Sequence, residues 1–220
     1  MTHTLHRVGD RNSLKKEFLF YMVPSRGLNA KGSTPKIKRF IEICAKYDPV
    51  NIGCLYPSSA KAKPRGSLRG DSIDELKADV VDRTETIVTF SDMDKVTSVL
   101  NDLREADLGV SVVVTGVFDK VFQCCHEAGL TPHTVNMALG IEGKTERLPE
   151  RKILDVVTMC GHGLVSPYLA EDLIEKVKKG RTTPEEAAKK LGINCVCGAF
   201  NPARAAELIK EMAALAQGRA

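Results

Sequence analysis

The sequence predicts an α/β protein: a layered α/β domain over residues 1–142, followed by a small all-helical unit over residues 143–220. Two observations carry this. Short β-branched and aromatic runs alternate with helix-period runs as far as residue 139, the order expected of an α/β layer. Beyond Pro149 only helix-period segments remain, separated by two glycine-containing turns that hold three cysteines and a histidine.

Residues 1–16 are polar and basic and read as an arm or loop. Glu17–Val23 (EFLFYMV) reads as a buried strand, and Pro24–Ser33 as a glycine-punctuated loop. Thr34 and Pro35 form a cap and first-turn proline for a helix whose Ile37, Phe40, Ile41 and Cys44 share one face. Pro49–Tyr56 reads as a second strand. Residues 57–72 form a long polar loop with Lys61, Lys63, Arg65 and Arg69. Ser72–Asp82 reads as a helix, Glu85–Phe90 as a strand, and Ser91 as the cap of a helix reaching Glu105. Gly109–Thr115 is a strand, Val117–Ala128 a helix and Thr131–Leu139 a further strand. Residues 85–139, as βαβαβ, suit either a doubly wound parallel sheet or a ferredoxin-like split unit. Residues 143–149 read as a hinge, with helices expected near 149–158, 167–179, 184–191 and 202–217.

Composition narrows the function classes. A net charge of +4 with no tryptophan and few aromatics gives no footprint for nucleic acid. No apolar run reaches the roughly 18–20 residues of a membrane span. The first sixteen residues lack an apolar signal core, so the expected location is cytoplasmic. Seven cysteines in a reducing compartment argue for metal or redox chemistry over a disulfide framework.

Cys160 and His162 lie in CGHGLVSP, and Cys195 and Cys197 in CVCGAFNP. Thiolate and imidazole bind zinc and iron–sulfur clusters. Alternate residues of an extended turn point the same way, so the Cys195 and Cys197 sulfurs can face one centre. Gly161 and Gly198 allow close backbone approach. Ser166-Pro167 and Asn201-Pro202 start helices directly after each turn. The spacing matches neither paired C-x-x-C zinc knuckles nor a bacterial ferredoxin. The expectation is one [4Fe–4S] cluster on Cys160, Cys195 and Cys197, with zinc as the alternative. Cys54, Cys124 and Cys125 are the candidate ligands from outside the helical unit, Cys54 first among them; Cys125, like Cys44, lies on a core stripe, and Cys124 and Cys125 are too far apart around their helix to point at one atom. His162 is ligand, acid–base group or structural contact.

The words MCGHGLVSP and CVCGAFNPARA, with the early THTLHR, resemble an uncharacterised family of predicted iron–sulfur proteins from anaerobic bacteria and archaea. That resemblance spans most of the chain. It implies a cluster on Cys160, Cys195 and Cys197 and carries over no reaction.

Three cysteines leave one cluster iron open, and an open iron is a Lewis acid. The leading expectation is therefore a lyase- or desulfidase-like enzyme acting on a small anionic substrate. Arg26, Asn29 and Lys31, on the loop before the first helix, would orient the anion, and His162 would be ligand or proton donor. A fully ligated electron carrier with a redox partner and a zinc-stabilised binding module are the alternatives. The basic loop is either a solvated loop or a flap over an acidic substrate. No Walker, G-x-G-x-x-G, G-x-S-x-G or H-E-x-x-H pattern occurs.

Overall fold

A computed structural model describes residues 7–57, 60 and 62–217. It is a mixed α/β structure with a five-stranded sheet and, among the described residues, nine α-helices. The elements are α1 Arg11–Leu14, β1 Phe18–Val23, α2 Thr34–Ala45, β2 Asn51–Leu55, β3 Arg65–Gly66, α3 Ile73–Ala78, β4 Glu85–Phe90, α4 Met93–Ala106, β5 Ser111–Thr115, α5 Phe118–Glu127, α6 Arg151–Val157, α7 Pro167–Lys178, α8 Pro184–Gly192 and α9 Pro202–Gln217. None of the described helices is long and apolar enough to cross a membrane.

The strand order is β3-β2-β4-β1-β5, and every pairing is antiparallel. The doubly wound parallel alternative is thereby overturned. β4 lies between β1 and β2, and β1 lies between β4 and β5, so two βαβ units interleave as the split arrangement requires. Sequence pattern alone does not fix strand order, because pairing joins segments far apart in the chain.

Strand alternation divides the core in two. Phe18, Phe20, Met22, Ile52, Cys54, Val88 and Phe90 face one layer, built from α2, α4 and α5. Leu19, Tyr21 and Ile87 face the other, built from α6 to α9. The C-terminal helices thus cover the second face of the sheet as a third layer.

Two local readings change. Residues 131–140 form no strand and are exposed throughout, so the strand expected at 131–139 is absent. The basic loop contains β3 and is tied down. Arg65 pairs with Asp71 and Asp79, and Arg69 donates to the Ile193 carbonyl at 2.7 Å. Lys63 is exposed, and Lys61 lies outside the described residues.

Candidate metal centre

The two cysteine turns meet over the sheet. At Gly53 the strand has no side chain, and there the Cys197-Gly198 backbone comes down onto β2. A Cβ on Gly53 would sit 2.3 Å from the Gly198 nitrogen, and one on Gly198 would sit 2.2 Å from the Gly53 nitrogen. Gly198 also has φ +85°, a left-handed conformation that favours glycine. Thr89 Oγ1 donates to the Gly198 carbonyl at 2.9 Å, and Asn51 Nδ2 to the Phe200 carbonyl at 2.9 Å. Two polar side chains on this face of the sheet therefore fix the turn that carries Cys195 and Cys197.

The second turn follows α6 and holds Cys160 and His162. Arg7 ties both turns together, donating to the Met159 carbonyl at 3.0 Å and the Ala199 carbonyl at 2.7 Å. Its guanidinium also pairs with Glu17, which in turn accepts from Arg204 of α9 at 2.6 Å. Glu17 and Arg204 are 2% and 1% exposed. Arg204 further donates to Ser13 Oγ and the Val8 carbonyl, while Asn201 caps α9 through the Arg204 N–H. Sequence reading placed Glu17 at a strand start and missed this network. Charged residues look solvated until the partner that buries them is known.

The predicted donors come together. The Cys195 and Cys197 sulfurs are 3.8 Å apart, and Cys197 Sγ is 3.6 Å from His162 Nδ1. Cys160 and Cys195 are near enough to shift each other's ionisation. All three cysteines are buried, whereas His162 lies on the exposed part of its turn. Backbone N–H groups of His162 and Leu164 are directed at the Cys160 sulfur, that of Phe200 at Cys195, and that of Ala199 at Cys197. Such N–H···S contacts favour the thiolate form. These N–H groups belong to the turns themselves, ahead of α7 and α9.

The three thiols compete for one proton pattern. The contact with the Cys195 side chain holds the Cys197 ionisation below the ordinary cysteine range. Cys195 is eased downward by Cys160, but the Cys197 sulfur and burial push it up to about 11. Cys160 is driven far upward by the Cys195 sulfur and by burial. Three adjacent buried sulfurs cannot all ionise without a cation among them. Tyr21 reaches the same place from β1. Its hydroxyl is raised by burial first, then by the Glu85 carboxylate and Cys197. Tyr21 pairs with Ile87 across the sheet, and Glu85 lies two residues along β4 on the same face. Neither Tyr21 nor Glu85 was singled out from sequence, because only register places Tyr21 near Cys197 and Glu85 near Tyr21.

Other candidates lie elsewhere. Cys54 follows Gly53, so strand alternation turns it to the opposite face. It is buried against Thr86 Oγ1 at 3.5 Å, and burial pushes its thiol up to about 11. The structure corrects its reading as a ligand. Asn29 clasps its own loop, accepting from the Ser25 N–H and donating to the Gly109 carbonyl. Arg26 and Lys31 are exposed on that loop. The anion position at the start of α2 holds the protein's own Asp82, which accepts from the Gly32 and Thr34 N–H groups and Thr34 Oγ1. Of the early word Thr2–Arg7, only Arg7 lies among the described residues.

Among the described residues, no group of three or more His, Cys, Asp or Glu side chains forms a ready metal-ion site. The contacts run in series, Cys160 to Cys195 to Cys197 to His162. The donor chemistry nevertheless suits a metal. A tetrahedral zinc ion with sulfur at about 2.3 Å and imidazole nitrogen at about 2.0–2.1 Å spaces two sulfurs about 3.8 Å apart and sulfur from nitrogen about 3.6 Å apart. Two of the observed contacts have these lengths. The site is thus a cysteine–histidine cluster at the seam between an antiparallel sheet and a helical layer. No family model matches the chain, and no curated protein or solved structure matches it.

Proposed function

We propose that the chain is a metal–thiolate protein in which Cys160, Cys195 and Cys197 hold one metal group against the sheet, with His162 as the solvent-side donor. The single observation that carries this is the convergence of three buried cysteines from turns far apart in the chain, with the Cys195 and Cys197 sulfurs 3.8 Å apart. The lowered ionisation of Cys197, beside Cys195 and the Ala199 N–H, supports a thiolate role over simple packing. The two contact lengths favour a single tetrahedral ion, so zinc is the first reading. A metal held there supplies positive charge that lets the thiolates coexist and, if His162 exchanges, a Lewis acid for a small anion.

A [4Fe–4S] cluster is the second reading. The three-cysteine count and the words MCGHGLVSP and CVCGAFNPARA favour it. A cubane places inorganic atoms between its cysteine sulfurs, so this reading needs the thiols to spread from their present contacts. In the iron–sulfur case an iron without a cysteine ligand would face His162, Tyr21 and Glu85, and a lyase- or desulfidase-like reaction on a small anion remains the enzymatic form of the proposal. Arg26 and Lys31 keep a part in it only as exposed cations on the loop following β1.

Anaerobic purification followed by metal and acid-labile sulfide analysis tests both. Stoichiometric zinc without sulfide supports the first reading, and iron with sulfide and a visible absorbance shoulder supports the second. Cys195→Ala should lose at least nine-tenths of the metal, while Cys54→Ala should keep it. Folded wild-type protein that takes up neither zinc nor iron, with all three thiols titratable, ends the proposal.

A further inference from the structure

A cavity of about 450 Å³ lies between residues 7–9, α6 and the loop that precedes α6. Its size suits a small organic molecule. None of Cys160, His162, Cys195 and Cys197 lines it, so it is separate from the candidate metal centre.

One side of the cavity is fixed by hydrogen bonds. Arg7 is held by Glu17 and by the Met159 and Ala199 carbonyls. The Val8 N–H donates to Thr158 Oγ1 at 2.9 Å, and the Val8 carbonyl accepts from Arg204 Nη2 at 3.0 Å. The lining is mainly apolar, with Val8 and Leu154 facing Ile141 and Leu148 of the loop. Ile141 and Leu148 are 42% and 40% exposed. Large apolar side chains left open within a concavity are surface that a ligand can cover.

The charges select the ligand. Arg7 and Arg151 are the charged residues of the lining. Arg7 is matched by Glu17, and its side chain is 7% exposed. Arg151 is not matched in this way. Its side chain is 68% exposed, and its one ion pair among the described residues is a contact of Nε with Asp155 Oδ1 at 3.3 Å. That contact makes no hydrogen bond, since Asp155 Oδ1 is buried without a hydrogen-bond partner. Asp155 approaches through Nε, which leaves the edge formed by the two terminal nitrogens. Such an edge is a fork that fits a carboxylate.

We propose that this cavity binds a small organic acid, with its carboxylate on the Arg151 guanidinium and its apolar body against Val8, Ile141, Leu148 and Leu154. A single uncommitted cation favours a monocarboxylate. A phosphate or a dicarboxylate would bring further negative charge into an apolar lining with no cation to meet it.

Titration of the isotope-labelled full chain with monocarboxylates (acetate to octanoate, benzoate and phenylacetate), followed by amide chemical shifts, tests this. At least one acid should saturate, with the largest shifts within residues 7–9, 138–149 and 151–154. Its uncharged amide should bind at least tenfold more weakly. Arg151→Gln should weaken the acid at least tenfold. Ala138→Trp, which adds bulk to the lining, should weaken acid and amide alike. Both positions are exposed, so the circular dichroism spectrum should not change. Cys195→Ala should bind the acid as the wild type does, whether or not it holds metal, so this proposal and the metal reading fail separately. Four results overturn the proposal: no acid shifts the lining amides saturably, acid and amide bind with equal affinity, either cavity variant keeps the wild-type affinity, or folded Cys195→Ala loses the acid, which would place it on the metal.

Discussion

Gly53 and Cys54 are neighbours in the chain and belong to different layers of the molecule. The first touches the Cys197 turn, and the second is packed beside Thr86 on the far side of the sheet. A cysteine at a strand position is available to only one face, and register decides which. Cys160, Cys195 and Cys197 were legible as a group because each sits in a glycine-containing turn ahead of a cap-proline pair. Glu17, Arg7 and Arg204 were not legible, since nothing in EFLFYMV announces that its glutamate is buried between two guanidinium groups. That triad permits a prediction at the scale of one side chain. Glu17→Gln leaves two buried arginines without their counter-charge, and breaking a buried pair in this way costs about 3–5 kcal/mol. Urea unfolding followed by circular dichroism should show a loss of that size. A change under about 1 kcal/mol would mean that water enters and solvates the arginines.

At the scale of elements, β1, β2, β4, β5 and α2 to α5 were readable from apolar period, whereas α1 and β3 lay in stretches read as arm and loop, and the caps of α2 and α4 fall on Ser33 and Asp92 instead of Thr34 and Ser91. Ser72 forms a capping box with Glu75, as Thr183 does with Glu186. Strand order was not readable, and the pattern at 131–139 misled because alternation reports a preference for a partner, not the presence of one. The contact between β2 and the Cys197-Gly198 turn is likewise invisible in sequence, although each of its glycines is a hint of close backbone approach. Gly53→Ala tests that contact. Its new methyl would meet backbone atoms, which cannot rotate away, so the cost should reach the upper part of the roughly 1–3 kcal/mol range for overpacking, or exceed it. Gly66→Ala is the comparison. Its Cβ would meet the Ile52 carbonyl at 3.2 Å, a contact relieved by a small shift. Chemical denaturation of the two variants should rank Gly53 well above Gly66, and equal losses would show that the turn moves freely off the strand.

At the scale of the whole molecule, the helical layer is held to the sheet in two ways. One is apolar burial around Leu19, Tyr21, Ile87 and Phe200, and the other is the polar seam formed by Asn51, Thr89, Arg7 and the cysteine turns. A metal bound at the three sulfurs would join α6 to the turn before α9 and add to the second. Ligands that bind only the folded state stabilise it, by about 4 kcal/mol at a thousandfold excess over the dissociation constant. Removing the metal with a chelator should therefore lower the melting temperature and speed hydrogen exchange at residues 158–166 and 192–201. Exchange in α2 and α4 should stay as it was, because their core lies across the sheet and includes none of the donor residues. This spatial pattern separates a metal that fastens the layer from one bound adventitiously at the surface, which would leave both turns as protected as before. Uniform acceleration through α2 and α4 as well would mean that the metal holds the entire fold, and the two layers would then unfold as one unit.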